Sequence, residues 1–238
     1  MNKQFDFKAG EVLVFDKPLT WTSYNLVGKV KSLLRLLPEG KSIKVGHAGT
    51  LDPLAGGLMV ICTGKKTKEI DTFQLTKKEY VADITFGSTT PSYDLETGFD
   101  AFYETKQLTS EKITDLLKTM EGDYMQHPPL FSAKKIDGKR AYKKARKGEK
   151  LILDAVKITF FELELIGYAE NIAKIRIVCS KGTYIRSFAH DIGKALDSGA
   201  HLSGLVRTKS GNFSLEDAYS VESFEAEFRT YLTNLALA

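Results

Sequence analysis

The apolar residues of this chain change period too irregularly for a strict βαβ alternation, and that constrains its fold more than any other feature. Residues 11–15, "EVLVF", read as a short strand. From Ser23 to Leu37 the positions Leu26, Val27, Val30, Leu33, Leu34 and Leu37 recur at helical spacing, with Thr22 or Ser23 placed to cap the start and Pro38 to end it. "LMVICTG" reads as a buried strand and "TKEIDTFQ" as a short helix. Tyr80, Ala82, Ile84 and Phe86 share one face of a strand. Residues 88–105 read as a polar loop, and Ser110 to Met120 as an amphipathic helix stopped by Gly122. Strands follow at about 155–166 and at 172–179, with a phase shift between Phe160 and Phe161 that marks a bulge. Thr183 to Leu196 is a helix with Ile185, Phe188, Ala189, Ile192, Ala195 and Leu196 inward. One more strand lies in "HLSGLVRTKSGNF", and a last helix runs from Ser220 to Leu237 with Val221, Phe224, Phe228, Tyr231, Leu232 and Leu235 inward. The pattern predicts an α+β fold around a mixed or antiparallel sheet with flanking helices, in a single domain over 1–238.

The 238 residues are 42% hydrophobic, enough for a substantial core. No apolar run reaches the roughly 18 residues of a membrane span, and the first residues do not resemble a secretion signal. Cys62 and Cys179 lie far apart in apolar stretches, which suits buried thiols rather than a disulfide or metal framework. The expectation is a cytoplasmic protein. Charge is concentrated. Between Gln126 and Lys150 stand nine lysines and arginines against two acids, whereas the whole chain carries only +4. A mildly acidic body with one basic arm suits a polyanionic partner such as nucleic acid, or else a solvated helix face.

Within "GHAGTLDPLAGG", residues 46–57, one aspartate precedes a proline among glycines. A turn explains that composition, and so does a functional loop. Several other chemistries are excluded. "GKKT" at 64–67 lacks the first glycine of a phosphate-binding loop, because Met59 holds that place. His47, His127, His190 and His201 have no zinc-binding spacing, and there is no GxSxG elbow. His190 and Asp191 are neighbours on a helix and do not face each other. What remains is Asp52, ionised at neutral pH and able to act as nucleophile or base, together with a strand-opening Tyr80, the run "KGTYIR" and the basic arm.

Six blocks in this order carry a resemblance: "FDKPLTWTS" at 15–23, "GHAGTLDPLAGGLMVICTGKKTK" at 46–68, "KKEYVADITFG" at 77–87, "HPPLFSAKKIDGKRAYKKARKGE" at 127–149, "CSKGTYIRSFAHDIG" at 179–193 and "GAHLSGLVRTKSGNF" at 199–213. The chain resembles the tRNA pseudouridine synthase B (TruB) family, which converts uridine 55 in the TΨC loop of tRNA. The resemblance implies the pseudouridine synthase catalytic core, with 126–150 as an inserted RNA-binding arm. It places Asp52 at the catalytic aspartate, Tyr80 at the tyrosine lying against the target base, and Arg186 at the arginine paired with the aspartate. It places His47 where a histidine helps hold the flipped-out RNA, Lys17 and Pro18 in a "DKP" motif beside the site, and Lys135, Gly138, Tyr142 and Arg146 on the arm. Lys181 and Arg207 complete the expected RNA contacts.

Some positions depart from the family pattern. Ala48 and Gly56 stand where threonine is common, Val206 where an arginine is, and Lys134 where an apolar residue is usual. Many members also carry a C-terminal RNA-binding domain of the PUA type. Here about 25 residues follow "GNF", so 215–238 is expected to form one helix in place of that domain.

The implied reaction is an isomerisation that needs no cofactor and no metal. The implied partner is the tRNA TΨC stem-loop, met by a protein expected to be a monomer and not membrane-bound. The sequence leaves open whether Asp52 attacks covalently or takes a proton from C2′ to leave a glycal. Two other readings share parts of the pattern: a pseudouridine synthase acting on another RNA, and a tRNA-binding or folding helper in which catalysis is not required.

Overall fold

The computed structural model describes residues 4–131, 135–136, 139–140 and 153–237. The elements run β1 (Val12–Lys17), α1 (Ser23–Leu34), β2 (Val45–Ala48), β3 (Ala55–Thr63), α2 (Ile70–Gln74), β4 (Lys78–Phe86), β5 (Ser88–Thr89), β6 (Ala101–Phe102), α3 (Ser110–Met120) and β7 (Gly122–Gln126). They continue with β8 (Lys135–Ile136), β9 (Lys139–Arg140), β10 (Val156–Ala169), β11 (Ile172–Cys179), α4 (Ile185–Ala195), β12 (Ala200–Ser210), β13 (Phe213–Ser214) and α5 (Val221–Leu237). The architecture is α+β. The chain forms two compact units, Met1–Glu79 with Val206–Ala238, and Tyr80–Leu205. Among the described residues no helix is long and apolar enough to cross a membrane.

In the first unit β3 is the centre, buried along its whole length. β1 pairs antiparallel on one side, from Val12 opposite Cys62 to Lys17 opposite Gly57. β2 pairs on the other, from Val45 opposite Thr63 to Ala48 opposite Val60. A strand buried on both faces reads as a continuous apolar run, which is why "LMVIC" shows no alternation. α5 packs on this unit through aromatic contacts. Phe224 meets Phe15 edge-on at 5.0 Å and Phe228 meets Phe7 at 5.6 Å. Tyr231 is half-buried and Leu235 exposed, so the inward stripe of α5 ends earlier than its periodicity predicts.

α1 stops at Leu34 rather than Leu37. Thr22 caps it in a reciprocal pair with Asn25: the Thr22 hydroxyl accepts the Asn25 N–H and the Asn25 side chain accepts the Thr22 N–H. Beyond Leu34 the chain tightens into i→i+3 bonds, Leu36 to Leu33 and Leu37 to Leu34, before Pro38.

In the second unit the strand order is β4-β11-β10-β7. β10 and β11 slip register between Phe160 and Glu162, the expected bulge, and again between Leu165 and Gly167, where the sequence gives no phase signal. α3 and α4 supply Ile113, Leu117, Phe188 and Ile192 to a core that also takes Ile84, Ile175 and Ile177. Ala195, expected inward, lies on the exposed side of the last turn of α4. Cys62 and Cys179 are both buried. In the basic arm Lys139 and Arg140 form β9, paired with β8, and 141–152 lie outside the described residues.

Candidate active site

Asp52 occupies the turn between β2 and β3. Its carbonyl accepts the Ala55 N–H at 3.0 Å, so Asp52, Pro53, Leu54 and Ala55 close a β-turn with proline at the second position, where its fixed φ fits. The Pro53 carbonyl accepts the Thr20 N–H at 2.8 Å. On the other side of Asp52, Leu51 is buried, and Ser23 satisfies both of its backbone groups. The Ser23 hydroxyl donates to the Leu51 carbonyl at 3.0 Å and accepts the Leu51 N–H at 2.9 Å. The main chain is thus fixed immediately before and after a carboxylate whose own side chain is partly exposed.

Arg207 of β12 reinforces the same loop. Its Nε donates to the Leu58 carbonyl at 2.7 Å and one Nη donates to the Gly49 carbonyl at 3.2 Å, so a single guanidinium ties the two flanks of the Asp52 turn together. Gly57 has to be glycine. Its φ is +95°, and an added Cβ would stand 2.4 Å from the Arg207 carbonyl oxygen.

Lys17, at the end of β1, donates its ammonium to the carbonyls of Pro18 at 2.9 Å and Trp21 at 2.6 Å. Burial pulls its pKa down to about 8, against the opposing attraction of Asp52 and Asp16. Lys17 and Arg207 were both expected to contact RNA. Each is only 1% exposed, and each has its cationic head on the protein's own backbone. Both side chains are buried rather than on the surface. His47, on β2, is half-buried, and burial together with the Arg207 guanidinium pushes its pKa down.

The second unit holds Tyr80 and Arg186. Tyr80 is half-buried on β4 and packs against the core. Arg186, in the first turn of α4, is only 6% exposed. Its Nη1 donates to the carbonyls of Phe131 at 3.0 Å and Ser92 at 3.4 Å, and its Nε lies 3.7 Å from the buried carboxylate of Asp94. Asp94 is fixed in turn. Its Oδ1 accepts the Glu96 N–H at 2.9 Å, and its carbonyl accepts the hydroxyls of Thr90 at 2.6 Å and Ser92 at 3.2 Å. The segment 88–105 is therefore no simple solvated loop. It contains the β5–β6 hairpin and a buried polar cradle whose hydroxyls bond its own backbone.

Lys181 is exposed in the turn before α4. Lys135 lies on β8, and Tyr142 and Arg146 fall outside the described residues. Among the described residues no group of three or more His, Cys, Asp or Glu is placed to hold a metal ion.

Sequence reasoning missed Ser23 and Asp94. Ser23 had a signal. Two hydroxyl residues stand side by side at the start of α1 and only one can cap it, which leaves the other free to bond elsewhere. Asp94 had none, because its partner lies 92 residues away in a different element.

The profile of the TruB family pseudouridylate synthase N-terminal domain matches residues 35–185, and that of the tRNA pseudouridylate synthase B C-terminal domain matches 186–236. A tRNA pseudouridine synthase B of Parabacteroides distasonis is 54% identical over 92% of this chain and 94% of its own, and one of Phocaeicola vulgatus is 55% identical over 92% and 93%. In a solved Cbf5-Nop10-Gar1 complex, one chain aligns with a TM-score of 0.74 at 28% identity, covering 96% of this chain and 57% of that one. With an Asp-Pro turn fixed on both flanks and these matches along nearly its whole length, the chain belongs to the TruB family of pseudouridylate synthases.

Proposed function

We propose that this protein isomerises uridine to pseudouridine in tRNA, at position 55 of the TΨC loop, with Asp52 as the group that acts on the flipped-out nucleotide. The observation that carries this reading is the fixed Asp52 turn, found in a chain more than half identical to proteins named tRNA pseudouridine synthase B. Those relatives favour tRNA over other RNAs, since the likeness to the Cbf5 complex is only 28% identical.

The chemistry sets requirements that these residues can meet. The N1–C1′ bond breaks, the base turns, C5 bonds to C1′, the C5 proton leaves to solvent and N1 takes up a proton, so product and substrate are isomers. Removing a base from its stack costs a few kcal/mol, which phosphate contacts offset. Asp52 either attacks the nucleotide or takes the C2′ proton; both need an ionised carboxylate at a defined place. The Ser23 and Arg207 contacts hold the loop that carries it. Arg186 pairs with Asp52 in this reading, with Asp94 orienting the guanidinium. Tyr80 lies against the base. His47 helps hold the flipped-out conformation, and Lys135, Tyr142, Arg146 and Lys181 grip the RNA.

The test is to incubate the protein with an unmodified tRNA transcript and map pseudouridine by carbodiimide treatment and primer extension. A single strong stop at position 55 is expected. Pseudouridine only at other positions would refute the site assignment, and none at all would refute the activity.

A further inference from the structure

A cation-lined cavity lies in the first unit, at the opposite end of α1 from the Ser23 clamp. A cavity of about 430 Å³ is lined by Lys31 and Arg35 from the end of α1, by Lys41, Ser42 and Lys44 from the following turn, and by Thr67. The four cations have no carboxylate within ion-pair distance among the described residues. The acids nearest in sequence are already taken: Glu39 pairs with Lys8, and Glu69 with Lys66 at 2.9 Å. The two hydroxyls are occupied as well. Ser42 donates to the Glu39 carbonyl and Thr67 to the Gly64 carbonyl, each at 2.7 Å. Four cations without a carboxylate partner around one cavity suit an anionic occupant, and with the hydroxyls engaged it is these cations that would receive it.

The cavity is joined to the Asp52 turn by a short piece of chain. Gly46 lines it, and β2 runs from there through His47 to Ala48. The six residue steps from Gly46 to Asp52 span at most about 20 Å. A phosphodiester a few nucleotides from the reacting uridine falls within that reach.

We propose that this cavity is a second RNA contact, taking a backbone phosphate close to the target nucleotide and reading its charge without reading its sequence. The inference rests on the RNA-modifying function proposed above. Contacts of this kind position a nucleic acid and make its binding depend on salt.

The test compares wild type with the double variant Lys41→Ala/Lys44→Ala and with the charge-matched control Lys112→Ala/Lys118→Ala on α3. Binding of a labelled tRNA transcript is followed by fluorescence anisotropy from 50 to 300 mM KCl, with pseudouridine formation at saturating RNA measured alongside. The expected result is severalfold weaker binding for the cavity variant, a log–log salt slope shallower by about 1–2, and an unchanged rate at saturation. The control should keep the wild-type slope. Wild-type affinity and slope in the cavity variant, with wild-type pseudouridine formation intact, would overturn the cavity proposal alone. An equal change in the control would overturn it too, by showing a general charge effect. Wild type that neither binds nor modifies the RNA would overturn both this proposal and the function it rests on.

Discussion

Ser23 and Leu51 exchange two hydrogen bonds, hydroxyl to carbonyl at 3.0 Å and N–H to hydroxyl at 2.9 Å, and so join the first residue of α1 to the residue before Asp52. Ser23→Ala leaves a buried N–H and a buried carbonyl without that partner. The expected cost is about 1–3 kcal/mol in urea unfolding. Because a small misplacement of a reacting group is costly, single-turnover pseudouridine formation should fall by about tenfold or more with tRNA affinity unchanged. Wild-type turnover in a variant that is measurably less stable would separate Ser23 from the positioning of Asp52.

Arg207 serves the same loop from the other side. Arg207→Lys keeps the charge but replaces a planar fork by a single ammonium, which cannot reach both Gly49 and Leu58 in the same geometry. A loss of about 3 kcal/mol is expected, again with slower turnover. An Arg207→Lys protein as stable as wild type would show that the two-carbonyl bridge contributes little.

Much of this was legible in the sequence, and the rest was not for definite reasons. The ranges of α3 and β11, the bulge after Phe160 and the buried β3 all follow from period and composition. Asp52 stood out as a lone carboxylate in a glycine-bounded loop, whereas the roles expected of Asp52, Tyr80 and Arg186 came from motif resemblance. The burial of Lys17 and Arg207 was invisible, since a charged residue reads as exposed until the carbonyls that receive it are known. The polar cradle in 88–105 was hidden likewise. Thr90, Ser92 and Asp94 have loop-like composition, and only the fold shows that their polar groups point inward.

Asp94 should matter through Arg186. Asp94→Asn keeps the shape but removes the charge 3.7 Å from the guanidinium. Breaking a buried pair is expected to cost about 3 kcal/mol of stability. If Asp94 orients Arg186 for chemistry, kcat should fall by about tenfold or more with little change in KM. A rise in KM alone would assign Asp94 to RNA binding instead.

Asp191 gives a pH signature independent of the reaction. Burial raises its carboxyl from 3.8 to about 6, although the Tyr124 hydroxyl donates to it at 3.2 Å. A folded-state pKa above the unfolded value means that the folded protein holds the extra proton. The contribution to stability is therefore full below about pH 3.8 and lost as pH rises through 6. Asp191→Asn removes this term and should raise stability at pH 7.5 relative to wild type, with the advantage disappearing near pH 4. An equal effect of the substitution at both pH values would contradict the assignment.

The account stands on Asp52. Tritium release from tRNA carrying 5-³H-uridine, measured for wild type and Asp52→Asn in parallel with tRNA binding by each, tests it most directly. Release by wild type, none by the variant, and equal tRNA affinity for both is the predicted result. Release by Asp52→Asn at the wild-type rate would contradict it and leave the Asp-Pro turn as structure alone.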